Sequence, residues 1–179
     1  MVEDRLISGI EACVASFSRE VSTGKESEIF LVDLAVKAAG RSVKIEVLVD
    51  SEQGIVISQC AALSRRIRDM IESDDELQEV YGEVFELMVS SPGLGGPIRH
   101  VRQYIRHTGR LLSVRYRDDA GSVHDVTGRL IEVDLAEGHE PFLVLEPVRS
   151  GRKKNGSLPP SRLKMMLDRI DKAVVQVEF

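Results

Sequence analysis

The stretch EVFELMVSSPGLGGP, residues 83–97, decides how this chain is organised. Its first half is an apolar run of β-forming residues from Val84 to Val89, which predicts a strand. Two serines, a proline, three glycines and a second proline follow, and such residues end a strand in a turn. The break predicts a joint between two domains, at 1–95 and 96–179. A backbone-rich loop presented to a partner is the alternative interpretation.

The two sides of this joint differ in charge. The chain of 179 residues has a net charge of −5. Residues 1–95 hold nine Lys and Arg against 18 Asp and Glu, a net charge of −9, whereas residues 96–179 hold 15 against 11, a net charge of +4. Opposite signs indicate that only the C-terminal half faces a polyanion directly. The acidic half would contact basic protein or keep the chain soluble.

Composition excludes several classes of protein. Hydrophobic residues make up 42% of the chain, enough for a globular core, while aromatic residues make up 4%, too few for a surface built on stacked rings. Cys13 and Cys60 lie far apart without CxxC spacing, which gives poor support to a disulfide framework or a zinc site. The sequence shows no membrane-length apolar run and no signal-peptide pattern, so we expect a cytoplasmic protein.

The N-terminal half has the pattern of a small α+β domain. Apolar residues at spacings of three and four predict a helix over 3–22. The predicted order is helix, strand, strand, helix, strand, with the helices on one face of a three-stranded sheet and the first two strands antiparallel. The remaining elements are strands at 28–38, 42–49 and 84–89, a helix from an N-cap at Ser58 to about 72, and a solvated acidic loop at 72–79, favoured over a cation site.

The C-terminal half begins with a basic segment. Pro97 is expected to open a helix that Gly109 closes. On this helix Ile98, Val101 and Ile105 would share one side. Residues 98–117 hold six arginines, two histidines and no acidic residue. We identify the candidate nucleic-acid contacts as Arg99, Arg102 and Arg106 on one helical face, Arg110 just beyond, and Lys153 and Lys154 in a later loop.

Arginine suits bidentate contact with phosphate, which is why these residues are candidates. The alternative for the same pattern is a solvated helix face paired with the acidic domain. After Gly109, strand signals separated by turns predict a small antiparallel barrel. The predicted strands are 111–117, 124–134, 141–148, 162–168 and 173–179, with a hairpin turn at 118–121, a basic loop at 150–161 and a 3₁₀ turn at 170–172.

Catalytic and metal-binding patterns are not found in this sequence. It holds no GxSxG, P-loop or HExxH motif, and its four histidines have no ligand spacing. Gly93–Gly96 fits the GxxG of K-homology domains, but that loop joins two helices and this one follows a strand. We therefore expect no enzyme activity, no metal and no cofactor.

Two blocks resemble the bacterial ribosome maturation factor RimP family. The motif SSPGL, residues 90–94, follows a short apolar strand as in the family's signature. The block VLVDSEQGIVISQCAALSRRI, residues 47–67, is similar to a second family block, in which a strand ends in Asp-Ser and a helix follows a Gly-Ile or Gly-Val turn. The matched residues are Ser90, Ser91, Pro92, Gly93 and Leu94 in the signature loop, and Asp50, Ser51 and Gly54 in the second block.

The resemblance implies a function and a fold. Members of this family are non-enzymatic assembly factors that bind the small ribosomal subunit during its maturation, and their C-terminal domain is an Sm-like or Src-homology-like barrel implicated in contacting ribosomal protein near the decoding region. Gly95-Gly96 stands where the family commonly has Asp-Arg, which predicts a more flexible joint.

The leading hypothesis is therefore a two-domain, monomeric assembly factor whose partners are rRNA and ribosomal protein of the small subunit. The alternative is a general RNA-binding, Sm-like regulatory module. An enzyme with an unrecognised site is a third possibility, supported only by abundant carboxylates.

Overall fold

A computed structural model describes residues 1–39, 42–82, 85–93, 95–148 and 162–178. The chain divides into two compact units, Met1–Pro92 and Gly93–Phe179. The division into domains at 1–95 and 96–179 remains a prediction, because the compactness of a unit does not test whether it folds on its own.

The first unit mixes helices with a three-stranded sheet, which confirms the predicted α+β class. Strand β2 pairs antiparallel with β1, as predicted, and parallel with β3, so that β2 is central. In chain order the elements are α1 (Val2–Val21), a 3₁₀ turn (Lys25–Ser27), β1 (Phe30–Ala39), β2 (Ser42–Asp50), α2 (Ile57–Ser73), α3 (Asp75–Tyr81) and β3 (Phe85–Ser90).

The core of this unit is formed by apolar residues that recur every three or four positions in α1 and α2 and at every second position in β2. The apolar stripe of α1 is buried except at its end, where Val21 is 37% exposed, and the central residues of the α2 face are also buried. They pack with alternate residues of β2 in one cluster. Burying each such aliphatic side chain contributes about 1.5–3 kcal/mol relative to leaving it exposed. The fully or nearly fully buried members of the three elements are Leu6, Ile10, Val14, Phe17, Ile45, Val47, Val49, Leu63, Ile67 and Ile71.

Two local predictions in this unit are wrong. Helix α2 begins one residue before Ser58, and its N-cap is Val56. The Gln59 side chain completes this end by accepting a hydrogen bond from the Val56 N–H at 3.0 Å. The acidic segment at 72–79 is largely helical rather than a loop, because the Asp74 carboxylate accepts hydrogen bonds from the first backbone N–H groups of α3 and Leu77 is completely buried.

The second unit is an antiparallel five-stranded sheet in the order β7-β6-β5-β4-β8. Its core holds residues from all five strands. No strand pairing joins β7 to β8 in the described ranges, so the sheet is not closed by hydrogen bonds into the expected barrel. The elements are α4 (Gln103–Arg106), β4 (Leu111–Arg117), β5 (Val123–Asp134), β6 (Phe142–Pro147), β7 (Leu163–Met166), a 3₁₀ turn (Leu167–Arg169) and β8 (Ile170–Val175).

The strand predictions in this unit are close to the structure, and β4 has the predicted limits. The hairpin turn between β4 and β5 is confirmed: the Asp118 carboxylate accepts hydrogen bonds from the Ala120 and Ser122 N–H groups, and Gly121 has a φ of 80°. The 3₁₀ turn was predicted three residues too late, since β8 already begins at Ile170.

The helices of the described ranges include none that combines the length and the apolar character needed to cross a membrane. Nor do the described His, Cys, Asp and Glu side chains form a group of three or more that could hold a metal ion. Cys13 and Cys60 are free thiols, and partial burial raises the pKa of each.

Candidate functional site

The two sequence blocks singled out above meet at one edge of the first sheet. Strands β2 and β3 are parallel, so their carboxyl ends lie at the same edge. Leu48 and Ser90 are register partners there. The chain continues from Leu48 to Asp50, and from Ser90 to Ser91 and Pro92. Two stretches about forty residues apart in sequence are therefore neighbours in the fold.

Asp50 and Ser51 build the turn that follows β2. Both are buried, with 2% and 3% of their surface exposed. The Ser51 N–H donates to Asp50 Oδ1 at 2.9 Å, and Ser51 Oγ donates to the Gly54 carbonyl oxygen at 2.9 Å. Gly54 has a φ of 86°, a backbone conformation that favours glycine. These residues hold the turn in shape and offer little surface to a partner.

The signature loop is more accessible. Ser91 and Gly93 are exposed, whereas Ser90 and Pro92 are half-buried. Leu94 lies outside the described residues. A loop with exposed backbone at a sheet edge can present hydrogen-bonding groups to a partner, but its geometry alone does not say which partner.

The basic segment is not the long helix predicted from Pro97. Pro97 instead forms an isolated β-bridge with Val174, and the Ile98 N–H donates to the Ala173 carbonyl oxygen at 2.8 Å. The segment thus begins as an extended strip beside β8. The helix is limited to the single turn of α4.

Gln103 explains why the helix starts late. Its side-chain oxygen accepts hydrogen bonds from the Arg99 and His100 N–H groups, each at 2.9 Å, and only 4% of the residue is exposed. Tyr104 is buried beside it in the core, and burial raises the pKa of Tyr104 to about 12. The predicted apolar side is wrong at Val101, which is 44% exposed.

The structure separates the predicted arginine face into two parts. Arg102 is the N-cap of α4 and Arg106 its last residue, a spacing of four that places them on one side of the turn. Arg99 precedes the helix and does not belong to that face. Arg99, Arg106 and Arg110 are exposed, and Arg102 is half-buried. Lys153 and Lys154 lie outside the described residues.

His100 adds a neutral group to this basic segment. Its Nδ1 accepts a hydrogen bond from the Arg102 N–H at 3.2 Å. Burial and the charge of Arg102 lower the pKa of His100. His100 therefore adds no positive charge to the segment at neutral pH.

Other arginines of the second unit pair with acids that the sequence places far away. Arg115 contacts Asp125 at 2.9 Å, Arg117 contacts Asp171 at 3.1 Å, and Arg169 pairs with Asp119. Strand pairing and the turns next to it create these contacts, so a count of charges along the chain does not reveal them. Sequence reasoning also missed Arg129, which lies in β5 beside the end of the basic segment and binds Glu178 at 2.6 Å.

The comparisons with known proteins agree on one family. The model of the RimP N-terminal domain matches residues 14–95. Proteins named ribosome maturation factor RimP are 44% identical over 170 residues in Chlorobium limicola, covering 95% of this chain and 96% of the relative, and 42% identical over 171 residues in Pelodictyon phaeoclathratiforme, covering 95% and 98%. The protein of that name in Chlorobium phaeobacteroides is 41% identical, with 95% and 98% covered.

Proposed function

The chain belongs to the ribosome maturation factor RimP family, and we propose that it acts as an assembly factor that binds the small ribosomal subunit during maturation. The observation that carries this proposal is the 44% identity over 95% of the chain to a protein named for ribosome maturation. Both sequence blocks that identified the family lie within that span and meet at one sheet edge. The proposed action is binding without catalysis, in the cytoplasm and as a monomer.

An assembly factor of this kind works by differential affinity. A ligand shifts a conformational equilibrium only as far as it binds one state better than the others. The protein would therefore dock on the immature small subunit and bind a productive arrangement of rRNA and ribosomal protein more tightly than the competing arrangements. Release would follow when the favoured arrangement is lost.

We assign the rRNA contact to the second unit. Its sequence carries a net charge of +4, against −9 for the first, and only a positive surface attracts the phosphate backbone. The exposed arginines of the basic segment are the proposed contacts: Arg99, Arg106 and Arg110, with half-buried Arg102 beside them and Lys153 and Lys154 added by sequence alone.

We also propose that the second sheet curls into an Sm-like barrel. Three features support this: the antiparallel order β7-β6-β5-β4-β8, the 3₁₀ turn between the two outer strands, and register shifts in the β5–β6 and β4–β8 pairs that let strands bend. The first unit would contact protein or remain in solvent.

The test is co-sedimentation of the full chain with small-subunit precursors, mature small subunits and large subunits at low salt. We expect selective binding to small-subunit particles, strongest for precursors. A variant with Arg99, Arg102 and Arg106 changed to Ala should bind at least about tenfold more weakly, because phosphate contacts dominate affinity.

The matched control changes Arg115, Arg117 and Arg169 to Ala, which removes the same charge from β4 and from the 3₁₀ turn before β8 rather than from the segment around α4. It should retain most of the binding. Failure to sediment with any small-subunit particle would overturn the proposed function. Equal binding to unrelated RNAs, with a steep salt dependence, would favour a general RNA-binding module.

A further inference from the structure

Three separate parts of the second unit converge at one end of its sheet. Leu111 of β4 and Arg129 of β5 are register partners, and the Gln176 N–H donates to the Leu111 carbonyl oxygen at 2.8 Å. The Leu130 N–H donates to the Arg110 carbonyl oxygen at 2.9 Å. The end of the basic segment, the middle of β5 and the chain beyond β8 therefore lie side by side.

Arg129 and Glu178 form a two-oxygen contact at this place. Arg129 Nη2 donates to Glu178 Oε1 at 2.6 Å, and Nη1 approaches Oε2 at 3.4 Å. Nη1 also donates to the Gly109 carbonyl oxygen at 2.7 Å, which fixes the plane of the guanidinium. Arg129 and, more weakly, the nearby charge of Arg110 hold the pKa of Glu178 below its usual range.

This arrangement resembles the way arginine binds phosphate. A guanidinium presents parallel N–H groups that match two oxygens of a carboxylate or of a phosphate equally well. We propose that Arg129 and Arg110 form a binding site for a backbone phosphate of rRNA, and that Glu178 occupies this site in the unbound protein as an internal competitor. The choice of rRNA as ligand rests on the function proposed above.

The Glu178 carboxylate is suited to being displaced. It lies beyond the end of β8, in the irregular segment 176–178, so that its side chain can leave without breaking a strand pair. Its side chain is 43% exposed and that of Arg129 is 41% exposed, and exposed ion pairs contribute little stability. A polyanion that also engages the other arginines of the basic segment gains from counterion release, which a single carboxylate does not provide.

The site extends the basic segment rather than standing apart from it. Arg110 is the last arginine before β4 and borders the strand pairing that carries Arg129. A phosphate run following Arg106 and Arg110 would reach Arg129 next. Glu178 is the acidic group that the fold brings beside Arg129 and the end of the basic segment at Arg110.

The test measures binding of the full chain to transcribed small-subunit rRNA over a range of salt concentrations. Glu178→Gln should raise the affinity about threefold or more, since it removes the competing charge and keeps the side chain's size. Arg129→Gln should lower the affinity and reduce the salt slope by about one. In the Arg129→Gln background, Glu178→Gln should give no comparable gain, because the guanidinium that it would release is gone.

Asp125→Asn is the matched control. It removes one negative charge from an exposed arginine pair of the same sheet, with Arg115 as the partner at 2.9 Å. It should leave the affinity for rRNA unchanged. An equal gain from Asp125→Asn and Glu178→Gln would overturn the proposed site and leave only a net-charge effect. The site would also be overturned if Glu178→Gln gave no gain, or if the protein did not bind rRNA at all.

The co-sedimentation assay keeps the two proposals apart. Binding to small-subunit particles with rRNA binding that ignores Glu178 and Arg129 would retain the function and overturn the site. The predicted rRNA behaviour without selective sedimentation would retain the phosphate site and overturn the assembly role.

Discussion

Gly128 of β5 lies directly against the backbone of Glu146 in β6. A Cβ atom built on Gly128 would be 2.9 Å from the Glu146 carbonyl oxygen and 3.1 Å from its carbonyl carbon. Both neighbours are backbone atoms in a paired strand, so neither can rotate away. The close approach of β5 and β6 therefore requires a residue without a side chain at position 128. Gly128 is needed for space, since its φ angle is not positive.

We predict that Gly128→Ala destabilises the second unit by about 1–3 kcal/mol, the usual cost of overpacking. The control is Gly96→Ala, because a Cβ there would meet no atom within 4 Å. That change should leave the free energy of unfolding nearly unchanged or raise it by a few tenths of a kcal/mol. Urea unfolding followed by circular dichroism measures both, and equal values would contradict the packing argument.

The sequence predicted best those elements whose residues alternate or repeat strictly. Strand β4 was predicted with its observed limits, because Leu112 and Val114 alternate with polar residues and its ends meet Gly109 and the turn at Asp118. Helix α1 was predicted to within one residue at each end by its stripe of Leu6, Ile10 and Val14.

Tertiary contacts decided the elements that the sequence did not reveal. Residues 72–79 look like a solvated loop because acidic residues surround Leu77, yet burying that one side chain and capping by Asp74 makes a helix. In the basic segment, the Gln103 side chain and the bridge from Pro97 to Val174 replace most of the predicted helix. The partners of these residues are set by the fold and leave no local pattern.

The candidate site was predicted only in part, because a sequence shows residues that are close along the chain and not those that the fold brings together. Sequence alone identified Arg99, Arg102, Arg106 and Arg110, since these cluster along the chain. Arg129 and Glu178 come from distant segments and become neighbours only through strand pairing.

Asp50 gives a test of whether the second family block, residues 47–67, is structural. Changing Asp50 to Ala removes the acceptor of the buried Ser51 N–H, and a lost buried partner costs about 1–3 kcal/mol. Asp50→Asn keeps a carbonyl oxygen in that place and should cost less. The measurement is thermal or urea unfolding of the full chain.

Asp33→Ala is the control for this prediction. Asp33 Oδ1 accepts the N–H of the next residue, Leu34, at 3.0 Å, the same type of bond in a half-buried setting. Its removal should destabilise the first unit less than Asp50→Ala does. If both alanine variants unfold alike, burial of Asp50 has no special importance for the turn.

His100 makes stability depend on pH in a defined direction. Its pKa is lowered in the folded protein by burial and by Arg102, whereas in the unfolded chain it returns to about 6.5. As pH falls below that value, the unfolded chain takes up a proton more readily than the folded one, which favours unfolding. The contribution of neutral His100 to the stability of the folded protein is therefore complete above about pH 7 and is lost progressively in acid.

We predict that His100→Asn reduces this loss. The Asn side-chain oxygen can accept the Arg102 N–H that His100 Nδ1 now accepts at 3.2 Å, but it does not titrate. The free energy of unfolding, measured by urea titration at about pH 8 and about pH 5.5, should fall less between the two conditions in the variant than in the parent protein. A parallel fall in both proteins would show that other groups, and not His100 beside Arg102, set the acid sensitivity.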